Sequence, residues 1–339
     1  MEKIFITVGD INGIGNELIL KFIDSGIYPT NNSYIIIGCR RIFDETASIL
    51  NYPTECVKNI NASEIENIAP GFYFYDIPSP DLRLELGKAT AEAGLLSGLA
   101  IKKGVELSDK YKGALVTAPI NKYSLHLGGF DYPGHTEFIA ELLSTDDFLM
   151  ILDGKKIKVA LVTTHLALKD VSHALNITSI FNKGRLLYSS LVSDYGIKEP
   201  RIAVCSLNPH AGDSGLFGNE EEKIISPAVE ELNRKISRGK GSFNGPLPSD
   251  TAFTTTYLEK TDAHLVMYHD QGLIPLKLLS FGTAVNFTAG LKIVRTSPDH
   301  GTAYDIAGKG KADCKSFKNA VKMAENILEN RKISLLRDI

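Results

Sequence analysis

The chain has 339 residues, a length that suggests about two domains with sizeable cores. Its 43% hydrophobic and 23% charged composition is that of a folded globular protein, and a net charge of −3 gives no basic footprint for nucleic acid. No apolar run approaches the ~20 residues that span a bilayer. Met1-Glu-Lys-Ile-Phe-Ile-Thr lacks a signal region, so a cytoplasmic location away from membranes is expected. Cys39, Cys56, Cys205 and Cys314 form no C-x-x-C pair and read as reduced thiols, with Cys205 inside a strand.

In chain order, the pattern predicts a strand over Ile4–Val8, a helix over Asn16–Ile23 and a strand over Tyr34–Ile37. A helix at Lys88–Glu106 and a strand at Ala114–Thr117 follow. Further helices fit Thr136–Leu143, Ser179–Tyr195, Glu220–Arg238, Asp250–Tyr257 and Ser316–Asn330, with Arg238–Pro248 a Gly/Pro/Ser loop. This alternation argues for an α/β class with a largely parallel sheet.

Three apolar, β-branched runs each stop on a histidine: Lys158-VALVTT-His165, Arg201-IAVCSLNP-His210 and Asp262-AHLVMY-His269. Such runs suit central strands, and ligands of open α/β sheets bind outside the carboxyl ends of strands. Three imidazoles delivered there can share one metal ion and leave positions for substrate. Any one of them alone reads equally as a loop histidine bonded to backbone.

Other motifs admit two readings each. Val8-Gly-Asp-Ile-Asn-Gly-Ile-Gly-Asn-Glu17 is a strand-to-helix turn whose N–H groups can meet an anion, or simply a tight capped turn; it is not G-x-G-x-x-G. Thr117-Ala-Pro-Ile-Asn-Lys122 places an amide and a lysine past a strand end. In Pro133-Gly-His-Thr-Glu-Phe138, Thr136 is expected to cap a helix, with His135 beside a phosphate or carboxylate. Asp250 and Asp270 are capping and turn residues, or orient imidazoles and bind metal through water. Lys277, Asn286 and Arg295 jointly offer donors to an anion, though each alone reads as a surface residue. Arg295-TSPDHGTAYDIAGK-Gly310 is so dense in glycine and polar groups that it reads as a ligand-wrapping loop or a mobile lid.

Together these residues resemble the 4-hydroxythreonine-4-phosphate dehydrogenases, oxidoreductases of vitamin B6 biosynthesis. The resemblance covers nearly the whole chain and rests on TAPINK, PGHTEF, LVTTHLAL, NPHAG with a following G-x-E-E, GPLPSDT, MYHDQGLIPLK, VNFTAGL and RTSPDHGTAYDIAGKG, in that order. It implies two α/β/α domains with a central cleft, a fold like that of isocitrate and isopropylmalate dehydrogenases and not a Rossmann dinucleotide fold. By that analogy residues 1–120 with 275–339 would bind nucleotide, and 121–274 would carry the metal and dimer contacts. The first turn departs from the family's TPGDPAGIGPE: Val8, Ile11 and Asn16 replace prolines, which loosens the turn without removing a catalytic group.

Carried over by position, the resemblance implies metal ligands at His165, His210 and His269, and substrate contacts at His135, Thr136, Lys277, Asn286 and Arg295. Gly301, Thr302, Ala303 and Asp305 fall in the nucleotide loop. Lys122, Asp250 and Asp270 are the catalytic candidates, with no general base singled out. The cofactors implied are NAD or NADP and one divalent ion; three imidazoles suit zinc, cobalt or nickel better than magnesium. A homodimer with its active site at the subunit interface is implied. The expected reaction is oxidation and decarboxylation of 4-phosphooxy-L-threonine to 3-amino-2-oxopropyl phosphate. These motifs do not separate a paralogue that oxidises 4-phospho-erythronate or 4-phospho-threonate; a diol dehydrogenase of a cyclic carboxylate, needing no phosphate, is a more distant alternative, and a non-catalytic metal- or nucleotide-binding protein is the alternative of another class.

Overall fold

The structure, a computed structural model, describes residues 1–79 and 81–337. Its strands are β1 (Lys3–Thr7), β2 (Ser33–Gly38), β3 (Val57–Asn59), β4 (Gly71–Asp76), β5 (Ala114–Thr117), β6 (Leu149–Gly154), β7 (Ile157–Leu161), β8 (Arg201–Cys205), β9 (Ser242–Leu247), β10 (Ala263–Val266), β11 (Val285–Ala289) and β12 (Val294–Pro298). Its helices are α1 (Gly15–Asp24), α2 (Arg40–Leu50), α3 (Ala91–Tyr111), α4 (Lys122–Leu127), α5 (His135–Leu142), α6 (Leu168–Ala174), α7 (Ile177–Ser193), α8 (Ser226–Leu232), α9 (Ser249–Ala252), α10 (Thr255–Leu258), α11 (His269–Ser280) and α12 (Lys315–Arg337). The class is α/β, as expected. The chain divides into a first unit, Met1–Asp146 with Leu291–Leu328, and a second, Asp147–Gly290 with Glu329–Ile339. The sequence reading had drawn these breaks at 120 and 275. No helix among the described residues is long and apolar enough to cross a membrane.

In the first unit the strands run in the order β3-β4-β2-β1-β5-β12, and the pairs β3/β4, β4/β2, β2/β1, β1/β5 and β5/β12 are all parallel. Ile4, Phe5, Ile6, Ile35, Ile36 and Ile37 are fully buried, as expected of strands covered on both faces. Helix α3 begins where the Thr90 side chain accepts from the Ala93 amide. Arg295 to Pro298, read from sequence as the start of a loop, forms β12, paired with β5 through Arg295↔Leu115. Its hydroxyl residues are bonded inside: Thr296 Oγ1 donates to the Ala320 carbonyl at 2.8 Å.

In the second unit the order is β11-β6-β7-β10-β8-β9. Strand β6 is antiparallel to both β7 and β11; to β7 because Lys155 and Lys156 make too short a turn for a crossover. Strands β7, β10, β8 and β9 are mutually parallel. Leu152, Val159, Leu161, Cys205, Val266 and Leu276 form the core here, and burial pushes the Cys205 thiol up to about 12.

Two expected segments differ. The helix over Glu220–Arg238 is α8 flanked by π-helical turns, Glu221–Ile225 and Asn233–Ser237. Pro227 has no N–H for an i→i−4 bond, which accounts for a break near its start. The supposed loop Arg238–Pro248 contains β9, which lies at the end of the strand order, where Pro246 is tolerated. The expected Asp250–Tyr257 helix is two short ones, α9 and α10.

Candidate active site

Because β7, β10 and β8 are adjacent and parallel, the segments after them leave the same sheet edge, and those segments carry His165, His269 and His210. Pairing between the first two persists past the strands. The Thr163 amide and hydroxyl both donate to the Met267 carbonyl, at 3.2 and 2.6 Å. Two residues further on, the rings of His165 and His269 stand 6.0 Å apart. They line a recess of about 330 Å³ with Tyr268, Asp270, Leu166 and Leu168. The His269 Nδ1 lies 2.7 Å from Asp270 Oδ1. A carboxylate there favours a proton on Nδ1 and leaves the Nε2 lone pair for a metal.

His210 sits beyond β8 in an unusual turn. His210, Ala211, Gly212, Asp213 and Ser214 all have positive φ, at 53, 54, 80, 43 and 56°. Left-handed backbone costs L-residues about 1–2 kcal/mol each, so surrounding bonds must hold this turn. Its ring is 6.4 Å from that of Phe217. Among the described residues no group of three His, Cys, Asp or Glu side chains lies close enough to hold a metal ion. Two of the three expected donors are nevertheless spaced as a shared ion requires. With Zn–N bonds of about 2.0–2.1 Å, two imidazoles sharing an ion have centroids roughly 5–6 Å apart, the range seen for His165 and His269.

The first unit holds a buried cationic cluster. Arg295, 2% exposed, donates from Nη2 to Thr117 Oγ1 at 2.9 Å and from Nη1 to Thr136 Oγ1 at 3.4 Å. Burial lowers its pKa to about 10, with Glu137 opposing the shift. It therefore stays charged at neutral pH. His135, the first residue of α5, is held well below the usual imidazole range by burial and then by Arg295. Its Nε2 is enclosed with no partner. Thr136 does not cap α5, as the sequence suggested; Gly134 occupies that position and the Thr136 hydroxyl serves Arg295. A fixed guanidinium, an enclosed imidazole nitrogen and a hydroxyl together suit an anionic oxygen.

The first glycine turn has another role than anion binding. The Asp10 amide donates to the Pro119 carbonyl at 2.9 Å, Gly13 to Asp10 at 3.0 Å and Ile14 to Thr302 at 3.1 Å, so these N–H groups are already bonded. A Cβ on Gly13 would lie 2.8 Å from the Thr302 oxygen. Tyr304 OH donates to Asp10 Oδ2 at 2.8 Å, and Glu17 Oε1 accepts the Ala312 amide at 2.7 Å. Burial raises the Asp10 pKa, with the Tyr304 bond opposing. The turn thus anchors the 301–312 loop. In that loop Gly301 and Asp305 are exposed, and Ala303 is left-handed at φ 43°. The three residues that replace prolines pack inside: Val8 and Ile11 are 1% exposed, and Asn16 donates to Thr46 Oγ1 at 3.2 Å.

The remaining candidates are scattered. Lys122 is exposed at the start of α4, with its Cε 3.9 Å from where a Gly134 Cβ would stand. Asp250 is exposed in the first turn of α9, after Pro248 at the cap. Lys277 is exposed on α11. Asn286 lies on β11, with its Oδ1 buried and unpartnered. Residue-by-residue reading missed Thr117, which bonds Arg295, and Glu221 and Gln271, which bond the chain beside His210 and His269; each sat inside a quoted motif, but polarity alone did not mark it.

Comparison with known proteins places these features in a family. Residues 30–324 match the family model described as "Pyridoxal phosphate biosynthetic protein PdxA". The chain is 41% identical over 330 residues to the 4-hydroxythreonine-4-phosphate dehydrogenase of Sulfurihydrogenibium sp. (strain YO3AOP1), covering 96% of this chain and 98% of the relative. It is 40% identical over 331 residues to the D-threonate 4-phosphate dehydrogenase of Salmonella typhimurium (strain LT2), covering 95% and 98%. The crystal structure of 4-hydroxythreonine-4-phosphate dehydrogenase from Klebsiella pneumoniae superposes with a TM-score of 0.85 at 38% identity, covering 96% and 98%.

Proposed function

Because the chain belongs to the pyridoxal phosphate biosynthetic protein PdxA family, we propose that it is an NAD(P)- and divalent-metal-dependent oxidoreductase acting on 4-phosphooxy-L-threonine. Oxidation would remove a hydride from the alcohol carbon and a proton, to a base, from its hydroxyl, giving 2-amino-3-oxo-4-phosphooxybutanoate. That β-keto acid then loses CO2, and the enolate left behind takes up a proton at carbon to give 3-amino-2-oxopropyl phosphate. When bound, the divalent ion supplies Lewis acidity toward the alcohol and keto oxygens, and the nicotinamide supplies the hydride acceptor.

The protein's part is binding and orientation. In the second unit His165, His210 and His269 would hold the ion, with Asp270 fixing the His269 tautomer; zinc or cobalt suits imidazoles better than magnesium. Lys277 and Asn286, in the same unit, would donate to substrate oxygens. In the first unit Arg295, His135 and Thr136 would grip an anionic group, and Gly301, Thr302, Ala303 and Asp305 would meet the nucleotide. This makes the first unit the nucleotide-binding part and the second the metal-binding part. Lys122 and Asp250 remain the candidate bases, separable by the pH profiles of Lys122→Met and Asp250→Asn. Ile274, Leu278 and Phe281, at 59%, 81% and 82% exposure, form an apolar stretch on and just after α11 that a second copy of the chain would cover, supporting a homodimer.

The observation that carries this reading is the buried Arg295 cluster in a chain 41% identical to a 4-hydroxythreonine-4-phosphate dehydrogenase. The relative acting on D-threonate 4-phosphate, 40% identical, supports a second reading in which the substrate lacks the amine. Reduced-nucleotide formation with metal-loaded protein, measured on both substrates, decides between them. Higher kcat/KM on the amino acid supports the first reading, and preference for the threonate overturns it in favour of the second.

A further inference from the structure

The left-handed turn from His210 to Ser214 follows a segment that is gripped from two sides. Gln271, 7% exposed, uses its whole amide. Its Oε1 accepts the Met267 amide at 2.6 Å, and its Nε2 donates to the Ser206 carbonyl at 2.6 Å and to Ser249 Oγ at 2.8 Å. One side chain therefore joins the exits of β10 and β8 and the start of α9. His269 lies two residues from both Met267 and Gln271, His210 four beyond Ser206, and Asp250 next to Ser249. On the other side Glu221, 5% exposed, accepts the amides of Leu207 and Asn208 on Oε1 at 2.8 and 2.7 Å. Its Oε2 accepts Asn208 Nδ2 at 2.9 Å, while Glu220 accepts the same nitrogen at 2.7 Å and the Ser172 hydroxyl at 2.6 Å.

We propose that Gln271 and Glu221 are positioning residues. They pin residues 206–208 so that the left-handed turn presents His210 in fixed register with His269. The physical case is that a strained turn persists only where its surroundings over-determine it, and these two buried side chains supply that constraint. Both meet backbone N–H or C=O groups, so each restrains the chain path itself. This inference rests on the reading of His210 and His269 as metal ligands.

The test uses the full-length protein and cobalt(II) alone as probe, with affinity measured by competition against a chromogenic chelator. Amide hydrogen exchange across 206–214 is followed in the metal-free protein. Gln271→Met and Glu221→Gln are expected to weaken cobalt binding about 10–100-fold, as outer partners of metal sites do. They should also speed exchange at Leu207, Asn208 and the turn. Ser249→Ala removes one of Gln271's three bonds and should weaken binding a few-fold; with Glu221→Gln it carries the test if Gln271→Met does not fold. Cobalt affinity within twofold of the parent for these variants, with 206–214 exchange unchanged, overturns the inference even where the melting temperature falls. His210→Ala separates the two ideas: if it binds cobalt as tightly as the parent, the ligand assignment fails, whereas exchange at 206–208 still reports on the clamp.

Discussion

The buried cluster of the first unit and the histidine-bearing loops of the second hold their polar groups by opposite means. Arg295 projects from β12, is 2% exposed and meets two threonine hydroxyls. Its position is set by the core. His165 and His210 are exposed, and His269 partly so; they sit on segments beyond their strands and are placed by hydrogen bonds to the backbone around them. A buried permanent charge is prepared for an anion before one arrives, since burial keeps competing water away. Imidazoles just beyond strand ends depend on supports such as Thr163, Gln271 and Asp270. Damage should accordingly appear as lost ligand affinity with the fold intact in the first case, and as loosened loop geometry in the second.

The largest effect that tests this contrast is expected from His210→Ala, which should lose metal binding and turnover together, by about 10³-fold or more in kcat/KM. Full activity with stoichiometric metal in that variant would remove His210 from the ligand set. Next comes Arg295→Met. Removing one partner of a buried charge contact costs about 2–5 kcal/mol, so kcat/KM should fall about 30- to 5,000-fold. The melting temperature of the ligand-free protein should hold or rise, because a buried guanidinium is taken away. A folding defect without a substrate-binding defect would mean that Arg295 serves the core. Asp270→Asn keeps the shape beside His269 but removes the carboxylate's charge. Metal affinity should drop about 10-fold with the loop conformation retained, as read by competition with a chelator.

Much of this contrast was visible in the sequence, for physical reasons that also explain the omissions. The β-branched runs before His165, His210 and His269 mark buried strands because both faces need apolar cover. What they do not encode is that β10 lies between β7 and β8, an ordering that arises from packing across the whole sheet. Arg295 was read as part of a polar loop because Arg-Thr-Ser-Pro lacks strand periodicity. Pairing with β5, Arg295's bonds to Thr117 and Thr136, and Thr296's bond to the Ala320 carbonyl override that local pattern. The Val8–Glu17 turn admitted two readings, an anion site or a tight turn, because its glycines alone do not show where the N–H groups point. Those N–H groups face Pro119 and Thr302, residues more than a hundred positions away. Gln271 and Glu221 each carry one polar side chain of ordinary type, and nothing in their spacing shows that they reach across to residues 206–208.

Within the first unit, Thr136→Val keeps the volume and removes the hydroxyl that accepts from Arg295. At 3.4 Å this is a long contact to a charged donor. The expected loss is about 10-fold in substrate affinity, within the range for a charged hydrogen bond, with kcat little changed. An unchanged KM would show that Thr117 alone orients the guanidinium.

The smallest effect compares one histidine from each unit. His135 is depressed by burial and then by Arg295. His264 is depressed by burial too, but bonds to the Ala252 and Lys158 backbones oppose the shift. A lowered imidazole pKa means that the unfolded chain takes up protons first as pH falls. The stabilising contribution is therefore fully present above the ordinary value near 6.5 and is lost on acidification from there toward the folded-state pKa. Between pH 6.5 and 5.5 each group should remove about 1 kcal/mol at most from unfolding stability. Denaturant titrations at the two pH values should show a smaller acid loss for His135→Asn than for the parent, and a lesser correction for His264→Asn. Arg295→Met, by removing the neighbouring positive charge, should raise the His135 pKa and flatten the same slope. If Arg295→Met leaves the slope untouched while His135→Asn flattens it, burial alone sets the imidazole, and the guanidinium is too well screened to act on its neighbour.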